Sequence, residues 1–173
     1  RTGGVSQRVI EYLTRELITQ LQALTKGLCD WLLITIQYET GCTVSELVNI
    51  KREDISTHHI TVAKRPCRVS KQLLESIEQY LLEHESPYLF PSRQQDQLTT
   101  KRVQQIIKKL LKNIDVQKAT PHLLRYTHIA HALQQQISLQ AIMQQTGLGE
   151  LRLSQIVSEV SIPEEDAYKR MFS

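Results

Sequence analysis

Residues 120–133 read TPHLLRYTHIAHAL. Threonine is a favoured N-cap and proline suits the first helical position, so the stretch predicts a helix opening at Thr120 and Pro121. His122 and Arg125 are three residues apart, which puts them on one face beside the positive end of the helix dipole. A helix start that carries an imidazole and a guanidinium suits a phosphate. The competing reading is a plain helix start with two polar residues on its wet side. The rest of the chain has to separate the two.

The chain has 173 residues, enough for one domain with a real core. Lys and Arg number 21 against 18 Asp and Glu, a net charge of +3, so any nucleic-acid surface must come from clustering of charge. No apolar run approaches the roughly 20 residues that span a bilayer, and no signal-peptide pattern opens the sequence. Cys29, Cys42 and Cys67 are scattered and odd in number, which fits neither a disulfide framework nor a zinc pattern. These features lead to the expectation of a cytoplasmic protein with no membrane partner. The opening RTGGVSQ reads as a linker, which gives residues 1–8 as linker and 9–173 as the domain.

Helical periodicity dominates the chain. Leu17, Ile18, Leu21 and Leu24 repeat at helical spacing after Thr14, and Gly27 breaks the run. A more apolar helix follows through Leu28, Trp31, Leu32 and Ile36 and ends at Gly41. TVSELVNI then restarts with Thr43 and Glu46 in a capping-box pattern. HHITVAKRPCRVS predicts a small hairpin, Ile60–Val62 with Cys67–Val69, around a basic turn at Lys64, Arg65 and Pro66, with a third strand near Ile55. A helix after Ser70 places Leu73, Leu74, Ile77 and Leu81 inward, and Tyr88, Leu89 and Phe90 anchor the long polar loop that follows. LTTKRVQQIIKKLLKNI is the clearest amphipathic helix, with a Val103, Ile106, Ile107, Leu110 stripe against Lys101, Gln105, Lys108 and Lys112. The glycine loop TGLG and two further helices close the chain, the last one opened by Pro163. The fold class is mainly α with a small antiparallel β-hairpin.

The order YETGCTVSELVNIKREDI, basic hairpin, lysine-rich helix, TPHLLRYTHIAHAL and TGLGELRLSQIVSEV resembles the catalytic domain of tyrosine recombinases, the phage-integrase family. The resemblance runs from about Tyr12 to Phe172. It implies a DNA breaking-rejoining fold in which a tyrosine attacks the phosphate and forms a 3′-phosphotyrosyl link. Arginines and a histidine or lysine stabilise the charge that develops on the phosphate. Carried over by residue, the HxxR motif is His122 and Arg125, and the hairpin lysine that serves as general acid corresponds to Lys64, with Arg65 or Arg68 as alternatives. Glu46 matches the acidic position of a motif like TGLRISEL, but Thr43 stands where that motif has arginine. On the family's LGH motif, the later Leu148-Gly149 pair would put Glu150 at the histidine with no tyrosine nearby, and the ungapped alignment of TGLGELRLSQIV places Leu148 at the histidine and Val157 at the tyrosine. None of these three side chains can clamp a phosphate as guanidinium, imidazole or phenol would. Tyr168, in EEDAYKRMF, is a displaced candidate nucleophile, with aromatic packing as its alternative.

The resemblance makes double-stranded DNA the expected partner, with Lys64, Arg65, Arg68, Lys101, Arg102, Lys108 and Lys112 as backbone contacts. His128 and His131 are also three apart, but nothing nearby completes a metal set, so no metal, cofactor or small-molecule substrate is expected. Full recombinases of this family carry an N-terminal DNA-clamping domain, and nothing in this chain looks like one. Family members also exchange a C-terminal helix, a role open to the segment after Pro163. Three functions follow: a DNA-binding domain impaired in cleavage that serves recombination or integration of a mobile element or its regulation; an active recombinase using Tyr168; or a protein-interaction module.

Overall fold

The computed structural model describes residues 10–94, 96–116 and 120–160. In chain order these form α1 (Arg15–Ala23), α2 (Leu28–Thr40), α3 (Val44–Val48), β1 (His59–Val62), β2 (Arg65–Arg68), α4 (Lys71–Leu81), α5 (Thr100–Lys112), α6 (Leu123–Gln134), α7 (Leu139–Thr146) and α8 (Glu150–Glu159). The expected linker at 1–8, Tyr168 and the helix after Pro163 lie outside the described residues.

The run LLITI at 32–36 decides where the core sits. Every side chain from Leu32 to Gln37 is buried, so α2 has no wet face and must be covered all round. It is packed by α1, α3, α4, α5, α6 and β2. Ile60, Val62, Leu73, Ile77, Leu89, Phe90, Val103 and Leu111 complete this main core. A second cluster joins Ile129, Ala130 and Ala132 of α6 to Ile142, Leu153 and Ile156. The segment before α1 is sewn onto it, since Thr127 Oγ1 accepts from Leu13 N at 3.0 Å and His131 Nε2 meets the Leu13 carbonyl at 2.8 Å.

Local chemistry sets the boundaries. Thr14, Ser70, Thr99 and Ser138 cap α1, α4, α5 and α7 with side-chain oxygens. Thr43 and Glu46 form the full capping box of α3. The start of α6 differs from expectation. Thr120 does not cap it, and the chain makes a turn through Pro121 before His122 takes the N-cap position without a side-chain cap bond. The hairpin also differs. Its turn is Ala63 and Lys64, both at positive φ (47° and 65°), the geometry of a tight two-residue turn. Arg65 and Pro66 therefore belong to strand β2, where Arg65 pairs with Val62 and Pro66 with Thr61. Ile55 makes only a single bridge to Ile60, short of a third strand. Among the described residues no helix is long and apolar enough to cross a membrane.

Because Ile36 is fully buried at the centre of this packing, Ile36→Ala should cost about 2–5 kcal/mol in urea unfolding. A loss below about 1 kcal/mol would contradict its placement in a closely packed core.

Candidate phosphate-binding site

Gly41 ends α2 in the left-handed region at φ 70°, and α3 begins almost at once. A Cβ on Gly41 would lie 2.6 Å from His128 Cδ2 and 2.9 Å from Thr146 Cγ2, so only glycine fits between α6 and α7 here. Its carbonyl accepts from Arg125 Nη1 at 2.9 Å. Arg125 is thus not on a wet face. It is buried and points from α6 toward the α2–α3 junction.

Glu46 faces it from α3. Its Oε1 accepts from the Thr43 N–H at 3.0 Å and from Arg65 Nη2 at 3.1 Å, while Oε2 accepts from Arg65 Nη1 at 2.8 Å. This is a two-pronged guanidinium–carboxylate fork. Arg125 Nη1 stands 3.7 Å from Oε1, near enough for attraction but beyond hydrogen-bond reach. Burial alone would raise the Glu46 carboxyl, but the bonds from Arg65 and Thr43 and the charges of both arginines carry it below its usual value.

Arg65 is held from its other side. Nε donates to the Gln145 carbonyl at 3.3 Å, and the guanidinium lies against Gly147, where a Cβ would come within 2.6 Å of Nη1. Gln145 also locks the strand, accepting from Arg68 N at 3.1 Å and donating to Arg68 O at 2.8 Å and Glu39 O at 3.1 Å. The site thus joins α3, β2, α6 and the α7–α8 turn.

His122 lies at the rim on the same helix as Arg125. Its ring is exposed, meets Tyr126 edge-on at 5.9 Å, and makes no hydrogen bond among the described residues. Partial burial, then the charges of Arg125 and Arg152, hold its pKa below the ordinary histidine value. Lys64 is exposed at the hairpin tip and Arg68 is exposed on β2. Lys101, Arg102, Lys108 and Lys112 are exposed along α5. Lys108 shares a cleft of about 200 Å³ with Val44, Thr120 and Pro121.

The neutral positions are filled by the fold. Thr43 Oγ1 is used on the Glu46 N–H at 3.1 Å. Leu148 and Val157 pack against the second apolar cluster. The three cysteines are free, and burial raises the thiols of Cys29, Cys42 and Cys67, Cys42 up to about 12. His128 and His131 serve structure. His128 Nδ1 meets the Tyr38 carbonyl at 2.7 Å, His131 Nδ1 meets the Tyr38 hydroxyl at 2.6 Å, and no metal-holding cluster occurs among the described residues. Sequence reasoning missed the roles of Arg65 and Gln145, whose partners lie 19 and about 80 residues away along the chain.

Residues 9–156 match the phage integrase family. A tyrosine recombinase XerA of Pyrococcus furiosus is 32% identical over 176 residues, covering 93% of this chain and 61% of that protein. XerA of Pyrococcus horikoshii is 30% identical over 162 residues, covering 86% and 56%. The chain therefore spans less than two thirds of the length of these relatives. The crystal structure of XerA recombinase is similar at a TM-score of 0.83 and 23% identity, over 94% of this chain and 66% of that one. The pre-cleavage complex of XerH site-specific recombinase bound to difH gives 0.77 at 16% identity, over 93% and 53%. At such identities the structural likeness shows the fold.

The His122 shift has a measurable sign. Its folded pKa lies below the unfolded one, so its contribution to stability is present above the unfolded value and lost as pH falls through the folded value. NMR titration should place the ring below the ordinary histidine value of about 6.5, and Arg152→Ala should move it up. An unmoved ring would remove Arg152 from its surroundings.

Proposed function

Because the chain belongs to the phage integrase family, we propose that it is a duplex-DNA-binding domain that grips a backbone phosphate and has lost strand cleavage. Its role is in DNA recombination or integration of a mobile element, or in the regulation of either. The observation that carries the loss of cleavage is what fills the catalytic positions. Thr43 is a helix cap, and Leu148 and Val157 are packed apolar side chains, so the arginine, histidine and tyrosine positions hold no clamp, donor or nucleophile. A missing nucleophile removes the covalent step altogether.

Binding rests on what remains. Arg125 uses one N–H on the Gly41 carbonyl and keeps the others for a ligand, with His122 beside it at the start of α6. The exposed cations of α5 and the hairpin tip extend the positive surface from there. Phosphate contacts of this kind set affinity and register and leave sequence unread, so they account for duplex binding and not for a target site. A solved neighbour, the Tn1549 transposon integrase, is in complex with circular intermediate DNA, which supports the choice of partner.

Incubation with nicked random-sequence duplexes should give no SDS-resistant protein–DNA adduct, while salt-sensitive duplex binding persists and is weakened by Arg125→Ala. An adduct abolished by Tyr168→Phe would instead establish a working recombinase with a displaced nucleophile. Absence of both adduct and binding would leave a protein-interaction module.

Charge reversal at Lys108 and Lys112 should weaken duplex binding and flatten its dependence on salt, each lost phosphate contact lowering the slope by about one. Unchanged affinity and slope would take α5 off the interface.

A further inference from the structure

Arg125 binds a phosphate only if the carboxylate beside it does not take its place. Glu46 lies 3.7 Å from Arg125 Nη1 in a site that is largely shielded from water, with only 10% of the Arg125 side chain and 22% of the Glu46 side chain exposed. A carboxylate with free lone pairs there would draw the guanidinium into a closed ion pair and would repel an incoming phosphate. In the structure Arg125 Nη1 stands off Glu46 Oε1 at 3.7 Å without a hydrogen bond, and the reason lies on β2.

We propose that Arg65 is a positioning residue that neutralises Glu46, so that Arg125 stays free to take the phosphate. A carboxylate has about four lone-pair sites. Three are filled by the Thr43 N–H and the two terminal nitrogens of Arg65. Arg125 is left at a stand-off distance, with its hydrogen bond going to the Gly41 carbonyl. Two guanidiniums against one carboxylate leave the site one positive charge in excess, although Thr43 occupies the position where the family's pattern has arginine.

Arg65 is itself preorganised. Gln145 holds its Nε and clamps the backbone of the same strand at Arg68, and the bare Cα of Gly147 leaves room for the guanidinium. With the donor fixed before any ligand arrives, little ordering remains to be done on binding. The proposal rests on the reading of Arg125 as a phosphate contact, and the test separates the two.

Affinity for a fluorescein-labelled random-sequence duplex would be measured by anisotropy over a range of KCl concentrations, with circular dichroism melting to confirm folding. Arg65→Ala should weaken binding on the order of tenfold, since Glu46 then captures Arg125 and the site loses its excess charge. Glu46→Gln keeps an oxygen for the Thr43 N–H and removes the charge. In the Arg65→Ala background it should restore most of the lost affinity, while in the wild-type background it should tighten binding by no more than about threefold. That non-additivity is the signature of neutralisation, because a strand latch alone would not be repaired by Glu46→Gln.

Unchanged binding in Arg65→Ala, or a double variant as weak as the single one, would overturn the proposal. If Arg65→Ala does not fold, Glu46→Gln alone decides, since a severalfold loss of affinity there would show that the ion pair itself supports binding. Arg125→Ala with wild-type affinity would instead remove the phosphate reading on which the proposal stands.

Discussion

A helix buried on every side still has to end, and its last carbonyls must find partners where water does not reach. In this protein Gly41 solves that problem for α2. Its left-handed conformation turns the chain into α3, its N–H donates to Gln37 O at 2.9 Å, and its own carbonyl takes the guanidinium of Arg125. His128 and Thr146 press against its bare Cα. Helices α6 and α7 are therefore set in place by the end of the central helix. Arg125 inherits that rigidity, with its bond running to the end of the core helix and not to a mobile loop.

The electrostatics follow from the same junction. The capping box that starts α3 fixes Glu46, because its side chain reaches back to the Thr43 N–H. A carboxylate held by a cap cannot turn away from the arginines near it. One guanidinium meets it as a fork and the other stands off, and the difference reflects where each arginine is anchored: Arg65 to the Gln145 carbonyl, Arg125 to Gly41. Helix capping and charge placement here are one arrangement.

Much of this was legible in the sequence, and particular residues show where legibility stops. The cap at Thr43, the glycine end at Gly41 and the amphipathic α5 are local patterns within a turn or two of helix, and the structure keeps them. The start of α6 was misread because Thr120 and Pro121 have the right propensity for a helix start but are used in a turn, with Thr120 O accepting from Leu123 N. The hairpin turn fell on Ala63 and Lys64 although neither favours positive φ, since register with β1 outweighs turn preference there. Arg65 was seen as a basic residue of a loop. Its partners on Glu46 and Gln145 come from other parts of the chain, and no local pattern encodes them.

The two members of the HxxR pair carry different weight as signs of function. Arg125 has a reason to exist in this fold without any ligand, since it satisfies the Gly41 carbonyl and lies against the Glu46 carboxylate. Its presence alone cannot tell a phosphate site from a well-packed junction. His122 has no such reason. It sits at the N-cap of α6, where serine, threonine, aspartate or asparagine would bond to the helix N–H groups, and it supplies no cap bond. The residue is exposed at the surface, and its charged form is disfavoured by partial burial and then by the charges of Arg125 and Arg152. A side chain that neither caps its helix nor gains from its electrostatic surroundings is explained by what arrives from outside. An anion placed between His122 and Arg125 would accept from the imidazole and offset the arginine charges. On that ground the proposed phosphate site rests on His122 more than on the buried arginine.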